Sequence, residues 1–172
     1  QALILPALES DEYLHLARRM GYAPEPDITP VQKLHLDFEA HTAGVRAFVE
    51  RHFGRDSLPG APVVTAADLI LSDAIPEELV RRALLDRGFS APARAFLNLR
   101  HIAGEAERRT LFARLAILAC DVLAHRPDPD MALNNWERFL HGLPDPQAHL
   151  GQLLSQPMRL EILLSIFSAS QF

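Results

Sequence analysis

The sequence predicts an all-α fold, a helical bundle made of two sub-bundles joined by a short linker. Three observations carry that expectation. Apolar residues recur at three- and four-residue spacings, the period of one helical face. Prolines stand where helices start and glycines where they stop, so the punctuation is helical throughout. Strand signals are nearly absent: only Ala2 to Leu5 and Pro62 to Val64 have the composition of extended chain, and both are short.

Taken in order, Ser10 is placed to cap a helix carrying Tyr13, Leu14, Ala17 and Met20, with Gly21 as its stop. Thr29-Pro30-Val31-Gln32 has the form of a capping box: a Thr cap, Pro at the first helical position and Gln reaching back. Behind it Val31, Leu34, Phe38, Val45, Phe48 and His52 follow at helical spacings, and Gly54 should end that long helix. Arg55 to Pro62 then loses the periodicity and carries Pro59-Gly60. The chain therefore divides into residues 1–55, a linker at 56–64 and a second helical set at 65–172.

In the second set, Thr65 with Asp68 is expected to cap a short helix through Leu71. Pro76 to Arg87 should turn Leu79, Val80, Ala83 and Leu84 inward and stop at Gly88. Ser90 is the expected cap of a helix through Ala103 that uses Phe96, Leu99 and Ile102. Gly104 separates it from a long helix with Leu111, Phe112, Leu115, Leu118, Ala119, Val122 and Leu123. Pro127 ends that helix, and Asp128-Pro129-Asp130 opens one with Leu133, Trp136 and Leu140 on a single face. Asp145-Pro146 and Gln156-Pro157 open two more.

With 172 residues, 48% of them hydrophobic, the chain has the apolar content for a packed core. The formal net charge is -5, and Lys and Arg form no runs. A nucleic-acid surface would need a basic stripe, so no nucleic-acid partner is expected. No apolar run approaches the roughly 18 residues of a membrane span, and no signal peptide is visible, so no membrane partner is expected either. The single cysteine, Cys120, rules out a disulfide within the chain and suits a reducing, cytoplasmic compartment. The chain opens on Gln1 and stops at Phe172 directly behind an apolar run. Both ends read as cuts through a longer protein.

The candidate chemistry is sparse. Asp128 and Asp130 resemble a metal-holding carboxylate pair, but they flank Pro129 at a helix start, with no preceding Gly-Ser turn. Helix capping at a favourable dipole end is the plainer reading. His35, His41, His101, His125, His141 and His149 are scattered, and no HExxH or His-Asp pattern occurs. Cys120 lies on an apolar face and reads as a buried, inert thiol. Arg18-Arg19, Arg81-Arg82 and Arg108-Arg109 fit solvated helix faces or ion pairs. No phosphate loop, dinucleotide fingerprint or nucleophile elbow is present. No catalytic, cofactor-binding or metal residue is therefore assigned, and no cofactor is expected in this segment.

Two stretches go further. The first is Pro6, Leu14 and Leu16-Ala17-Arg18-Arg19-Met20-Gly21-Tyr22, then His41-Thr42-Ala43-Gly44-Val45-Arg46-Ala47-Phe48-Val49-Glu50-Arg51-His52-Phe53-Gly54. The second is Leu84-Leu85-Asp86-Arg87-Gly88-Phe89, then Pro127-Asp128-Pro129-Asp130-Met131-Ala132-Leu133-Asn134-Asn135-Trp136-Glu137-Arg138-Phe139-Leu140. It continues with Leu153-Leu154, Pro157, and Leu160-Glu161-Ile162-Leu163-Leu164-Ser165-Ile166-Phe167-Ser168-Ala169-Ser170-Gln171-Phe172. In this order the blocks resemble the central helical region of the bifunctional glutamine synthetase adenylyltransferase/adenylyl-removing enzyme. The first block is similar to the end of the helical module behind the family's first nucleotidyltransferase domain. The second is similar to the helices leading into its second one. Two departures stand out: Ser90-Ala91-Pro92 where the family usually reads Asp-Pro after the Gly-Phe, and Trp136 where a smaller apolar residue is common.

The resemblance implies a parent nucleotidyltransferase of nitrogen metabolism. It would transfer AMP from ATP to a tyrosine of glutamine synthetase and remove it by phosphorolysis. ATP and Mg²⁺ are implied for the parent. The implied partners are the flanking nucleotidyltransferase domains, glutamine synthetase and a PII-type signal protein. None of the family's catalytic positions falls in this chain, so it would be a non-catalytic connector. The competing readings are a stand-alone helical adaptor that binds another protein, and an independent helical enzyme built on the scattered His and Asp residues.

Overall fold

The computed structural model describes residues 5–53 and 63–169. Among them the chain is all-helical and has no strand; a lone antiparallel bridge joins Glu25 and Ile28. The helices are α1 (Asp11–Arg19), α2 (Pro30–Phe53), α3 (Ala66–Leu71), α4 (Glu77–Leu85), α5 (Pro92–Ala103), α6 (Ala106–Ala124), α7 (Pro129–His141), α8 (Pro146–Ser155) and α9 (Pro157–Ala169). No described helix is long and apolar enough to cross a membrane.

The caps follow from the sequence. Ser10 Oγ accepts from the Tyr13 amide at 3.2 Å and starts α1. Thr29 and Gln32 exchange bonds: Gln32 Oε1 accepts from the Thr29 amide at 2.9 Å, and Thr29 Oγ1 from the Gln32 amide at 3.2 Å. Thr65 and Asp68 do the same at α3. Asp128 and Asp145 accept from the Met131 and Ala148 amides, each in front of a Pro at the first helical position. Gly21, Gly88 and Gly104 all sit at positive φ behind a helix end, where a side chain would be strained.

Around α6 pack α2, α3, α5, α7, α8 and α9. Its Phe112, Leu115, Ala116, Ala119 and Leu123 are fully buried and form the axis of the main core. Trp136 of α7 enters that core fully buried, its ring tilted against Phe112 at 5.7 Å between centroids. A second, small cluster joins Tyr13 and Ala17 of α1 to Leu34 of α2.

Two expectations are corrected. Leu34 is buried as its spacing implies, but Phe38, Val45 and Phe48 are 42%, 63% and 57% exposed. The side chain of His52 lies outside the described residues. The buried line of α2 is Leu36, Ala40 and Ala43, also at helical spacing. The side of α2 that is buried thus carries one leucine and two alanines, and the bulkier Phe38, Val45 and Phe48 lie outside it. Ser90 does not cap α5: Ala91 holds that position with no side-chain bond. Asp130, from the first turn of α7, reaches over instead. It accepts from the Ser90 amide (2.6 Å), Ser90 Oγ (2.8 Å) and the Ala91 amide (3.2 Å).

The expected linker falls mostly on residues 54–62, outside those described. On either side of it the helices touch. Ala43 of α2 belongs to the main core, and Arg46 of α2 grips Asp68 of α3 with Nε–Oδ1 at 2.8 Å and Nη2–Oδ2 at 2.9 Å.

Candidate functional site

The polar side chains that chemistry would need are, for the most part, holding helices together. Asp128 and Asp130 bond different partners. The first caps its own helix, and the second binds the turn before α5.

A dense polar cluster lies at the C-terminal end of α3. That helix ends at Leu71 with Ser72-Asp73 and no glycine, so its last carbonyls need donors from elsewhere. Two arginines supply them. Arg100 Nη1 donates to Ile70 O at 2.6 Å, and Arg109 Nε donates to the same oxygen at 2.7 Å; Arg109 Nη2 reaches Leu71 O at 3.2 Å. Both guanidiniums also bond Asp73. The Arg109 bond, with help from Arg100, holds the Asp73 carboxyl down at about 2 against the desolvation of its site. Cations at a helix C-terminus are favourable in themselves. This is a three-helix clamp of α3, α5 and α6. No local sequence window shows it, because each arginine lies 27 to 39 residues from the groups it binds. The available signal was a helix end lacking a glycine stop.

Of the arginine pairs, Arg81 forms a two-bond pair with Glu78 at 2.7 and 3.0 Å on the surface of α4. Arg108 donates to Ile102 O and His101 O, both at 2.8 Å, and closes the C-terminus of α5. Arg18 and Arg19 occupy the last turn of α1.

Three clefts among the described residues carry titratable side chains. One of about 500 Å³ opens between α2 and α6, with Leu36, Ile117 and Cys120 at its walls and His35, Glu39 and Asp121 around it. A second, about 480 Å³, holds His101, Arg108, Glu137 and His141; the His101 Nδ1 to Glu137 Oε1 distance is 3.5 Å, and His101 is 65% exposed. A third, about 300 Å³, is lined by Tyr22, Lys33, Asp37 and Arg114. The His101–Glu137 pair could orient an imidazole, but no hydroxyl or thiol lines that cleft to act as its nucleophile. Among the described residues no three His, Cys, Asp or Glu side chains stand together as a metal-holding group.

Cys120 is buried, and burial pushes its thiol up to about 11, so it stays protonated near neutrality. His149 packs edge-on against Phe139 at 5.4 Å, and burial lowers its pKa. The remaining histidines are dispersed: His41 and His125 each bond a carbonyl one turn back, Asp37 O and Asp121 O. No family model, curated protein or solved structure matches the chain.

Proposed function

We propose that the chain is the central helical connector of an enzyme resembling the glutamine synthetase adenylyltransferase/adenylyl-removing enzyme. The observation that carries this reading is the order of the sequence blocks. Leu16–Tyr22 and His41–Gly54 come first, then Pro127–Leu140, then Leu160–Phe172, as in the family's central region. In this reading AMP transfer and its phosphorolytic reversal belong to flanking nucleotidyltransferase domains, which would bind ATP and Mg²⁺. The chain itself contributes spacing and orientation. Glutamine synthetase and a PII-type signal protein would be partners of the whole enzyme.

Two features of the helices support a framework role. Several of the arginines and aspartates hold helix ends: Asp128 and Asp145 at N-termini, Arg100 and Arg109 at the C-terminus of α3. The departure at Ser90-Ala91 is also compensated. Where the family usually carries an Asp after the Gly-Phe, Asp130 supplies a carboxylate to the same turn from α7.

The runner-up reading, a stand-alone protein-binding adaptor, draws on one observation. Met158, Ile162 and Ile166 stand 59%, 54% and 49% exposed at four-residue steps along α9, a stripe another protein could cover. Reading the encoding frame on both sides separates the two. The connector requires Gly-Ser turns with Asp-x-Asp carboxylates upstream of Gln1 and downstream of Phe172. A start codon just before Gln1 and a stop codon just after Phe172 would leave the adaptor as the better account.

A further inference from the structure

The described helices carry two apolar clusters that barely merge. Tyr13, Ala17 and Leu34, with Leu5, Leu16, Tyr22 and Val31 around them, lie wholly within α1, α2 and their flanking turns. The main core gathers buried residues from Val64 to Phe167, and from α2 it takes only Ala43. Leu36 and Ala40 are buried between the two but belong to neither cluster.

The seam between α2 and the body is open, and apolar and charged side chains alternate along it. The clefts of about 500 and 300 Å³ run along it, and Leu36 lines both. Two charge pairs among the described residues cross it. Arg46 holds Asp68 through two bonds, and its Nη2 also reaches Thr65 Oγ1 at 3.5 Å. Arg114 of α6 pairs with Asp37 of α2, whose other oxygen accepts from Tyr22 Oη at 2.9 Å. The Arg114 Nε–H is buried at this seam without a hydrogen-bond partner among the described residues. Large apolar interfaces resist parting because they would expose core. Parting this one would uncover Leu36, Ala40 and Ala43 of α2, two of them small, while the Tyr13–Ala17–Leu34 cluster would stay with α1 and α2 and Trp136 and Phe112 with the body.

We propose that the α1–α2 hairpin is an arm that swings as a unit, latched to α3 and α6 by the Arg46–Asp68 and Asp37–Arg114 pairs. The latch is charge-based, so local ionic conditions or a charged partner shift the balance between latched and released arms. The proposal follows from the seam itself and does not depend on the connector reading.

Spin labels on Glu12→Cys of α1 and Gln147→Cys of α8, both exposed positions, report the arm's distance from the body by pulsed electron resonance. The otherwise unmodified chain at low salt should give one narrow distance. Arg46→Gln with Arg114→Gln, which leaves the Thr65–Asp68 cap intact, should raise a second, longer population several-fold while Trp136 emission stays that of a buried indole. Raising salt from about 0.1 to about 1 M shortens the screening length from about 10 to about 3 Å. It should move the chain with native latch residues in the same direction. An unchanged single distance under both perturbations overturns the proposal. So does broadening that comes only with exposure of Trp136, because the arm would then open only as the whole chain unfolds.

Discussion

Trp136 offers the sharpest test of how the main core is held. It is fully buried on α7 between Leu133 and Leu140 and leans on Phe112 of α6. Trp136→Ala removes the largest buried side chain and leaves a cavity that α6 and α7 can close only in part. The cost should be about 3–5 kcal/mol, a large share of the roughly 5–15 kcal/mol that holds a typical domain. For a chain of this length that corresponds to a drop in Tm of about 6–20 °C. The indole Nε1–H adds a second lever: it is buried with no hydrogen-bond partner among the described residues. An unpaired buried donor costs about 1–3 kcal/mol. Trp136→Phe removes that donor and keeps most of the ring contact, so it should cost no more than about 2 kcal/mol. Urea unfolding followed by far-ultraviolet circular dichroism reads both. An unchanged midpoint for Trp136→Ala would mean the residue is exposed and a partner-binding role is better. Equal losses for the two variants would mean the indole N–H has an acceptor after all. If the proposed connector reading holds, Trp136→Ala in the whole enzyme should impair regulation of both activities before it impairs their chemistry, because the connector would loosen while distant active sites kept their residues.

Asp73 gives a pH signature. Its folded pKa of about 2 lies below its ordinary value of 3.8, so its stabilising contribution is present above about pH 4 and lost as pH falls toward 2. Asp73→Asn should flatten that stretch of the urea-midpoint profile; the contribution is modest because the side chain is 47% exposed. Cys120, with its thiol pushed up to about 11, should resist iodoacetamide at pH 8 until urea unfolds the chain; rapid alkylation of the native chain by intact mass would contradict its burial. Asp130→Ala strips three bonds from Ser90 and Ala91 and should cost about 1 kcal/mol; thermal unfolding with no loss would show that water serves that turn equally well. The isolated chain, given ATP, Mg²⁺ and glutamine synthetase, should add no AMP to the synthetase; a gain of one AMP unit in a preparation free of host transferase would overturn its assignment as non-catalytic.

The helix starts were legible because they are local. A Thr, Ser or Asp followed by Pro or by a carboxamide or carboxylate three residues on specifies its bonds within one turn, as at Thr29–Gln32 and Thr65–Asp68. The inward faces of α5, α6 and α7 were legible because each buries large apolar residues at a clear period. On α2 the same rule failed. A long helix covered on one side by small-residue packing keeps its Phe and Val period on the other, and periodicity alone does not say which side faces the core. Long-range polar partners were hidden for another reason. Asp130 serves a turn forty residues away, and Arg100 and Arg109 serve a helix end about thirty to forty residues away. Those pairings depend on how the helices are stacked, which no local window contains. The absence of an assigned active site in the sequence reading came from missing motifs. Where the structure adds to it, it adds roles: Asp128 and Asp145 at helix starts, and Arg100 and Arg109 at the end of α3.

The most direct test of the connector reading is enzymatic and uses the whole encoded protein. The full open reading frame containing this segment should be expressed, purified and incubated with ATP, Mg²⁺ and glutamine synthetase, and the synthetase then weighed intact. The account predicts a gain of one AMP per modified subunit, carried on tyrosine. Where the parent keeps its second activity, phosphate should remove it again. A full-length product that leaves the mass of glutamine synthetase unchanged, with and without phosphate, under conditions where a known transferase modifies it, would contradict the account.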